Sequence, residues 1–207
     1  FGEGNFDAAE ITFDSIFQLN PNSIKARNNL GVLYKKLGRY NDALRVYFEA
    51  ESIVKREKGP TSEEIAKLYN NIGNVFNLKR DYELALQYLT FAENIFRDAG
   101  IRSSEANTVY TNIGNSYFGM QDWRKALRSY QEGIEAKLAT DKKGLDAAYA
   151  NCATMYEHLN ELDSASMYYN YSINAKEDLY GDPSFRFIPT YNNYGGLLLE
   201  MGEREKA

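Results

Sequence analysis

The chain has 207 residues, a formal net charge of −5 and one cysteine. Lys and Arg are interspersed with Asp and Glu, so no basic stripe tracks phosphates and nucleic acid is excluded as the main partner. Apolar runs such as Leu197-Leu198-Leu199 fall far short of the ~20 residues of a membrane span, and a single cysteine allows no internal disulfide framework.

In chain order, Gly4, Phe6, Ala9, Phe13 and Pro21 predict a lone helix over about 5–19. A phrase then begins to repeat: Asn29-Leu30-Gly31, Asn71-Ile72-Gly73, Asn112-Ile113-Gly114, Asn151-Cys152-Ala153 and Asn193-Tyr194-Gly195. The leading asparagines are spaced by 42, 41, 39 and 42 residues (71−29, 112−71, 151−112, 193−151). A fixed period in this range belongs to stacked repeats, not to a single globular core. Each phrase is followed by a second apolar set, as in Tyr40, Ala43, Tyr47 and Ala50, at the three- and four-residue spacings of one helical face. The pattern predicts helix pairs over 24–37/40–57, 62–78/81–98, 102–119/122–139 and 143–159/162–178, then a lone helix over 185–201. Pro60, Gly100, Gly144 and Gly181-Asp182-Pro183 punctuate the joins.

Mid-helix glycine costs up to ~1 kcal/mol relative to alanine. Gly31, Gly73, Gly114 and Gly195, with Ala153 in the fourth copy, are therefore expected where a partner helix comes close. Ala43, Ala85, Ala126 and Ala165 supply the small face of that partner.

This pattern resembles the tetratricopeptide-repeat family; Leu30-Gly31, Tyr34, Gly38, Tyr40, Ala43, Tyr47 and Ala50 form its cleanest copy. The family unit has 34 residues, and the longer period here, with Asn before the Leu-Gly pair, resembles kinesin light chain repeats and those of bacterial signalling and CHAT-associated proteins. The resemblance implies an all-α fold: a right-handed superhelical solenoid of antiparallel helix pairs. It divides the chain into a half repeat at 1–21, full repeats at 22–61, 62–101, 102–142 and 143–183, and the start of another at 184–207. Opening on Phe1 and ending as a further repeat begins, the chain is expected to be a fragment of a larger protein. Its expected compartment is the cytoplasm, or the periplasm if it is the sensor part of a membrane kinase.

Asn71 precedes Gly73 by two residues, ~200° around a helix, so it points away from the partner helix. Lys67, Asn71, Asn74 and Leu78 then share a stripe, as do Thr108, Asn112, Asn115 and Gly119. An amide offers donors and an acceptor, matching a peptide's own N–H and C=O. In the resembling families such a ladder holds a peptide backbone in the concave groove. That role is carried here onto Asn29, Asn71, Asn112, Asn151 and Asn193, with Asn74 and Asn115 on the same stripes and Lys25, Lys36 and Lys67 beside them. The plainer alternative is that these asparagines satisfy neighbouring side chains or backbone.

Two functions compete: a protein- or peptide-binding module, expected as the regulatory or sensor region of a larger signalling protein, and a structural spacer or oligomerisation scaffold. A small-ligand sensor is a third. No catalytic constellation, metal site or cofactor is expected: His158 is the only histidine, so no His-pair metal site can be built. Cys152 stands where Leu30 and Ile72 stand, as a buried thiol. Apolar ends, with Phe6, Phe13 and Phe17 opposite Tyr194, Leu198 and Met201, suggest head-to-tail self-association.

Overall fold

The computed structural model describes residues 4–140, 144–181 and 187–202, and the side chains within them except those of 4–10, 14 and 180. Phe6 and Ala9 as side chains, and Asp182-Pro183 entirely, lie outside the described residues. Among the described residues ten helices form two compact units, divided as Phe1–Ile101 and Arg102–Ala207. The described residues contain no strand, so the fold is an all-α helical-repeat array.

The first unit holds α1 (Gly4–Leu19), α2 (Ile24–Lys36), α3 (Tyr40–Lys58), α4 (Glu63–Leu78) and α5 (Tyr82–Asp98). Its pairs are α2 with α3 and α4 with α5. Ser23 caps α2 by accepting from the Ala26 N–H, Ser62 caps α4 from Ile65, and Asp81 caps α5 from Leu84. Each satisfies a backbone donor that a helix start leaves unpaired. α1 is tied on by the Arg27 guanidinium, 4.8 Å above the Phe17 ring.

The second unit holds α6 (Ser104–Gly119), α7 (Trp123–Leu138), α8 (Leu145–His158), α9 (Leu162–Tyr180) and α10 (Ile188–Glu200). α6 pairs with α7 and α8 with α9, while α10 packs on α9. Ser103 and Asp122 cap α6 and α7. One core gathers Ala126, Tyr130, Leu145, Cys152 and Met155; another gathers Ala153, Ala165, Tyr169 and Leu197.

The close approach at glycine is real, but the alanines do not make it alone. A Cβ on Gly31 would stand 2.4 Å from Tyr47 Cε1, and one on Gly114 2.4 Å from Tyr130 Cε1. At Gly73 it would meet Leu89 Cγ at 2.6 Å and the Ala85 carbonyl oxygen at 3.1 Å. The residue four positions after each alanine thus lies across the glycine, its ring or branch filling the notch.

The turns inside the pairs share one geometry. Gly38, Arg80, Gln121 and Asn160 all have positive φ, at 74°, 63°, 60° and 58°. The residue after each donates back to the helix, Asp81 to Phe76 O at 3.0 Å and Asp122 to Tyr117 O at 2.9 Å. These are the paired bonds of a left-handed helix end. Three of the four turns reach it without glycine.

Candidate functional site

In the first unit the stripe of α4 leads to α2. Asn71 Nδ2 donates to Asn28 Oδ1 at 2.8 Å, which joins the two first helices side by side. Asn29, one position further on, is exposed, and so are Lys25 and Lys36. Asn74 is half-buried, and Lys67 is held in an ion pair with Glu63 at 2.7 Å. Lys35 is half-buried, and that burial, followed by its neighbour Lys36, lowers its pKa. Beneath this wall Tyr47 is fully buried, and its hydroxyl has no hydrogen-bond partner among the described residues.

In the second unit the corresponding residues come together around a cavity. Asn115 and Phe118 of α6, Tyr130 of α7, and Asn151, Thr154 and Met155 of α8 line a space of about 160 Å³. The buried Tyr130 hydroxyl donates to Asn115 Oδ1 at 2.8 Å. Since the oxygen is taken, Asn115 presents its NH₂ donors. Thr154 gives its own proton to the Ala150 carbonyl at 3.1 Å, and its hydroxyl is also within hydrogen-bond reach of Tyr169. Asn151 adds an amide that can donate and accept. Phe118 and Met155 make the apolar walls.

The next tyrosine along behaves differently. Tyr169 Oη donates to Glu157 Oε2 at 2.7 Å; burial first, and then this bond, raise its pKa. Asn112 is half-buried, and its backbone carbonyl accepts from the Ser116 hydroxyl at 3.0 Å. Asn193 is exposed on α10.

The residues proposed from sequence therefore fall into two sets. Asn29, Asn71, Asn74, Lys25, Lys36 and Lys67 belong to the first unit, and Asn112, Asn115, Asn151 and Asn193 to the second. Asn115 and Asn151 share one cavity. Asn28, Tyr130 and Thr154 were not singled out from sequence; a tyrosine four residues after the alanine of three second helices was the available signal.

Cys152 is buried, and burial pushes its thiol up to about 12, which suits a core position and not a nucleophile. Among the described residues no three His, Cys, Asp or Glu side chains are grouped to hold a metal ion, and no helix is long and apolar enough to cross a membrane.

Residues 22–98 match the family described as tetratricopeptide repeat. Stress-induced-phosphoprotein 1 of Caenorhabditis elegans is 26% identical over 98 residues, which is 47% of this chain and 30% of that protein. The chain thus spans less than a third of that relative's length. Among solved structures, BtubC (BKLC) from P. vanneervenii superposes with a TM-score of 0.84 at 17% identity, covering 97% of this chain and 84% of that one. A putative kinesin light chain of Podosopora anserina with TPR-like repeats gives 0.75 at 9% identity, covering 90% of each. A Rap protein complexed with competence and sporulation factor gives 0.71 at 15% identity, covering 89% of this chain and 50% of that one. At these identities the likenesses speak for the fold.

Proposed function

We propose that this chain, whose residues 22–98 match the tetratricopeptide repeat, is a protein- or peptide-binding scaffold whose second unit seats an extended partner segment across Asn115 and Asn151. The observation that carries this reading is the Tyr130–Asn115 bond at the edge of the shared cavity. A buried hydroxyl fixes which way the amide points, so the donors are pre-aimed and little rotamer entropy is lost on binding. The Asn115 NH₂ suits a peptide carbonyl, and the Asn151 amide oxygen suits the N–H that follows. A cavity of about 160 Å³ exceeds a water's share of ~30 Å³ several-fold, room for a peptide group with a small side chain. The Rap structure, whose protein is complexed with competence and sporulation factor, is consistent with such use of the fold.

The scaffold alternative is favoured by one observation in the first unit. There Asn71 spends a donor on Asn28, so its amide works between helices. The binding reading accordingly rests on the second unit.

The test begins with a phage-displayed random peptide library selected on the protein. An enriched peptide is then titrated against the parent and the Asn115→Ala/Asn151→Ala variant at matched helicity. Two lost hydrogen bonds predict roughly 10- to 100-fold weaker binding. Unchanged affinity, or no enriched peptide, would overturn the peptide reading and leave the scaffold.

A further inference from the structure

A second cavity lies in the first unit, on the other side of α4. Tyr69 precedes Asn71 by two residues, so the two point to opposite sides of the helix. The cavity is about 600 Å³, lined by Pro60 and Thr61 of the α3–α4 loop, Tyr69, and the last two turns of α5, including Phe91, Asn94 and Asp98. That volume is within the range of ligand-binding clefts.

Its features favour positive charge. The Tyr69 and Phe91 rings stand 5.8 Å apart at 46°, and ring faces are electron-rich. Phe91 is 46% exposed, so its face is open to a guest. Asp98 is the final residue of α5, where its carboxylate adds to the negative end of the helix dipole. Two of the chain's own cations already contact its lining residues. Lys55 Nζ lies 5.8 Å from the Tyr69 ring centroid. Arg97 donates to Asn94 Oδ1 at 2.6 Å and stands 3.6 Å from Asp98.

The same set recurs 80 residues on: Tyr149, Tyr171, Asn174 and Asp178 match Tyr69, Phe91, Asn94 and Asp98 (149−69, 171−91, 174−94, 178−98). The Tyr149 and Tyr171 rings are 5.5 Å apart at 51°, nearly the first pair's geometry. At the position of Arg97 stands Glu177, so this copy carries a further carboxylate in place of the cation. The intervening pair has Glu132 where Phe91 stands and Ala139 where Asp98 stands, so it lacks the set.

We propose that the Tyr69–Phe91–Asp98 cleft takes a cationic side chain, arginine or lysine, from a partner protein. The guest's charged head lies over the Phe91 face and meets Asp98 and Asn94. Arg97 is the intramolecular placeholder there, and a guest displaces it. Its exposed pairs are of the kind that contribute little, so the exchange is easy. This surface is independent of the Asn115–Asn151 cavity.

The test is a titration of N-acetyl-arginine amide into protein carrying carbon-13 in its Phe and Tyr rings, followed by NMR, with N-acetyl-citrulline amide as the neutral control. The expected result is saturable shifts of Phe91 and Tyr69 with the arginine probe alone. Phe91→Ala and Asp98→Asn should each weaken binding by roughly 3- to 10-fold, and Arg97→Ala should tighten it. Equal response to citrulline, no saturable shift at Phe91, or indifference to both Asp98→Asn and Arg97→Ala would overturn the proposal.

Discussion

The Tyr130 hydroxyl donates to Asn115 Oδ1 across 2.8 Å, and the Tyr130 ring lies against Gly114 on the same helix as Asn115. A single core side chain therefore sets both the spacing of α6 and α7 and the orientation of an amide at the cavity. Packing and the polar lining of the cavity are coupled through one residue.

Gly114→Ala should expose that coupling. A Cβ there would lie 2.4 Å from Tyr130 Cε1, so the ring must move; such overpacking costs about 1–3 kcal/mol. Gly73→Leu should cost at least as much, since the backbone oxygen of Ala85 is 3.1 Å from where its Cβ would sit. Gly196→Ala is the contrast, with nothing within 4 Å of the added carbon and an expected gain of about 0.5–1 kcal/mol. Urea denaturation of the three variants checks this. Gly114→Ala as stable as the parent would refute the notch.

Tyr47 and Tyr169, in equivalent positions, should respond differently to loss of the hydroxyl. Tyr47→Phe removes a buried group with no partner among the described residues, so it should stabilise, by up to about 1 kcal/mol. Tyr169→Phe deprives the Glu157 carboxylate of its 2.7 Å donor and should cost about 1–3 kcal/mol. Thermal melts read both, and the same sign for the two variants would contradict the hydrogen-bond assignments.

Gln121→Gly should stabilise the second unit. Gln121 holds a φ of 60°, a conformation costing about 1–2 kcal/mol for a residue with a Cβ. Part of that relief is lost to glycine's greater freedom in the unfolded chain, leaving about 0.5–1 kcal/mol. A denaturation midpoint that falls would show the turn to be unstrained.

Alkaline pH should unfold the protein. Burial pushes Cys152 from an ordinary 9.0 up to about 12 and raises Tyr47, Tyr130 and Tyr169. At neutral pH both folded and unfolded chains hold these protons, so stability is flat there. As pH rises above about 9 the unfolded chain releases its thiol proton, and near 10 its phenolic ones, while the folded chain keeps them. Stability falls by about 1.4 kcal/mol per pH unit for each such group, until the folded groups let go. Urea midpoints between pH 8 and 11 measure the slope, and a flat profile would contradict the burial of these groups.

Much of this architecture is legible from periodicity. The helices expected over 24–37 and 40–57 are Ile24–Lys36 and Tyr40–Lys58, and that expected over 122–139 is Trp123–Leu138. Gly31, Gly73 and Gly114 face their partners because a Cβ at each would stand 2.4–2.6 Å from a partner side chain. What periodicity could not supply is pairing between side chains far apart in the chain. Asn71 donates one N–H to Asn28, 43 residues away, and no spacing rule names that partner. The turns were hidden for another reason: Gly38 signals a left-handed residue, whereas Arg80 and Gln121 adopt it because the surrounding hydrogen bonds over-determine it.

Those turns bear on how such a chain could grow. Gly, Arg, Gln and Asn occupy the same backbone corner, so the joint is specified by main-chain geometry and is nearly indifferent to the letter written there. A duplicated segment of about 40 residues would carry a working elbow with it whatever drift that position had undergone. Selection is then free to rewrite the outward faces, as between the residue 97 and residue 177 positions, where one copy bears arginine and the other glutamate.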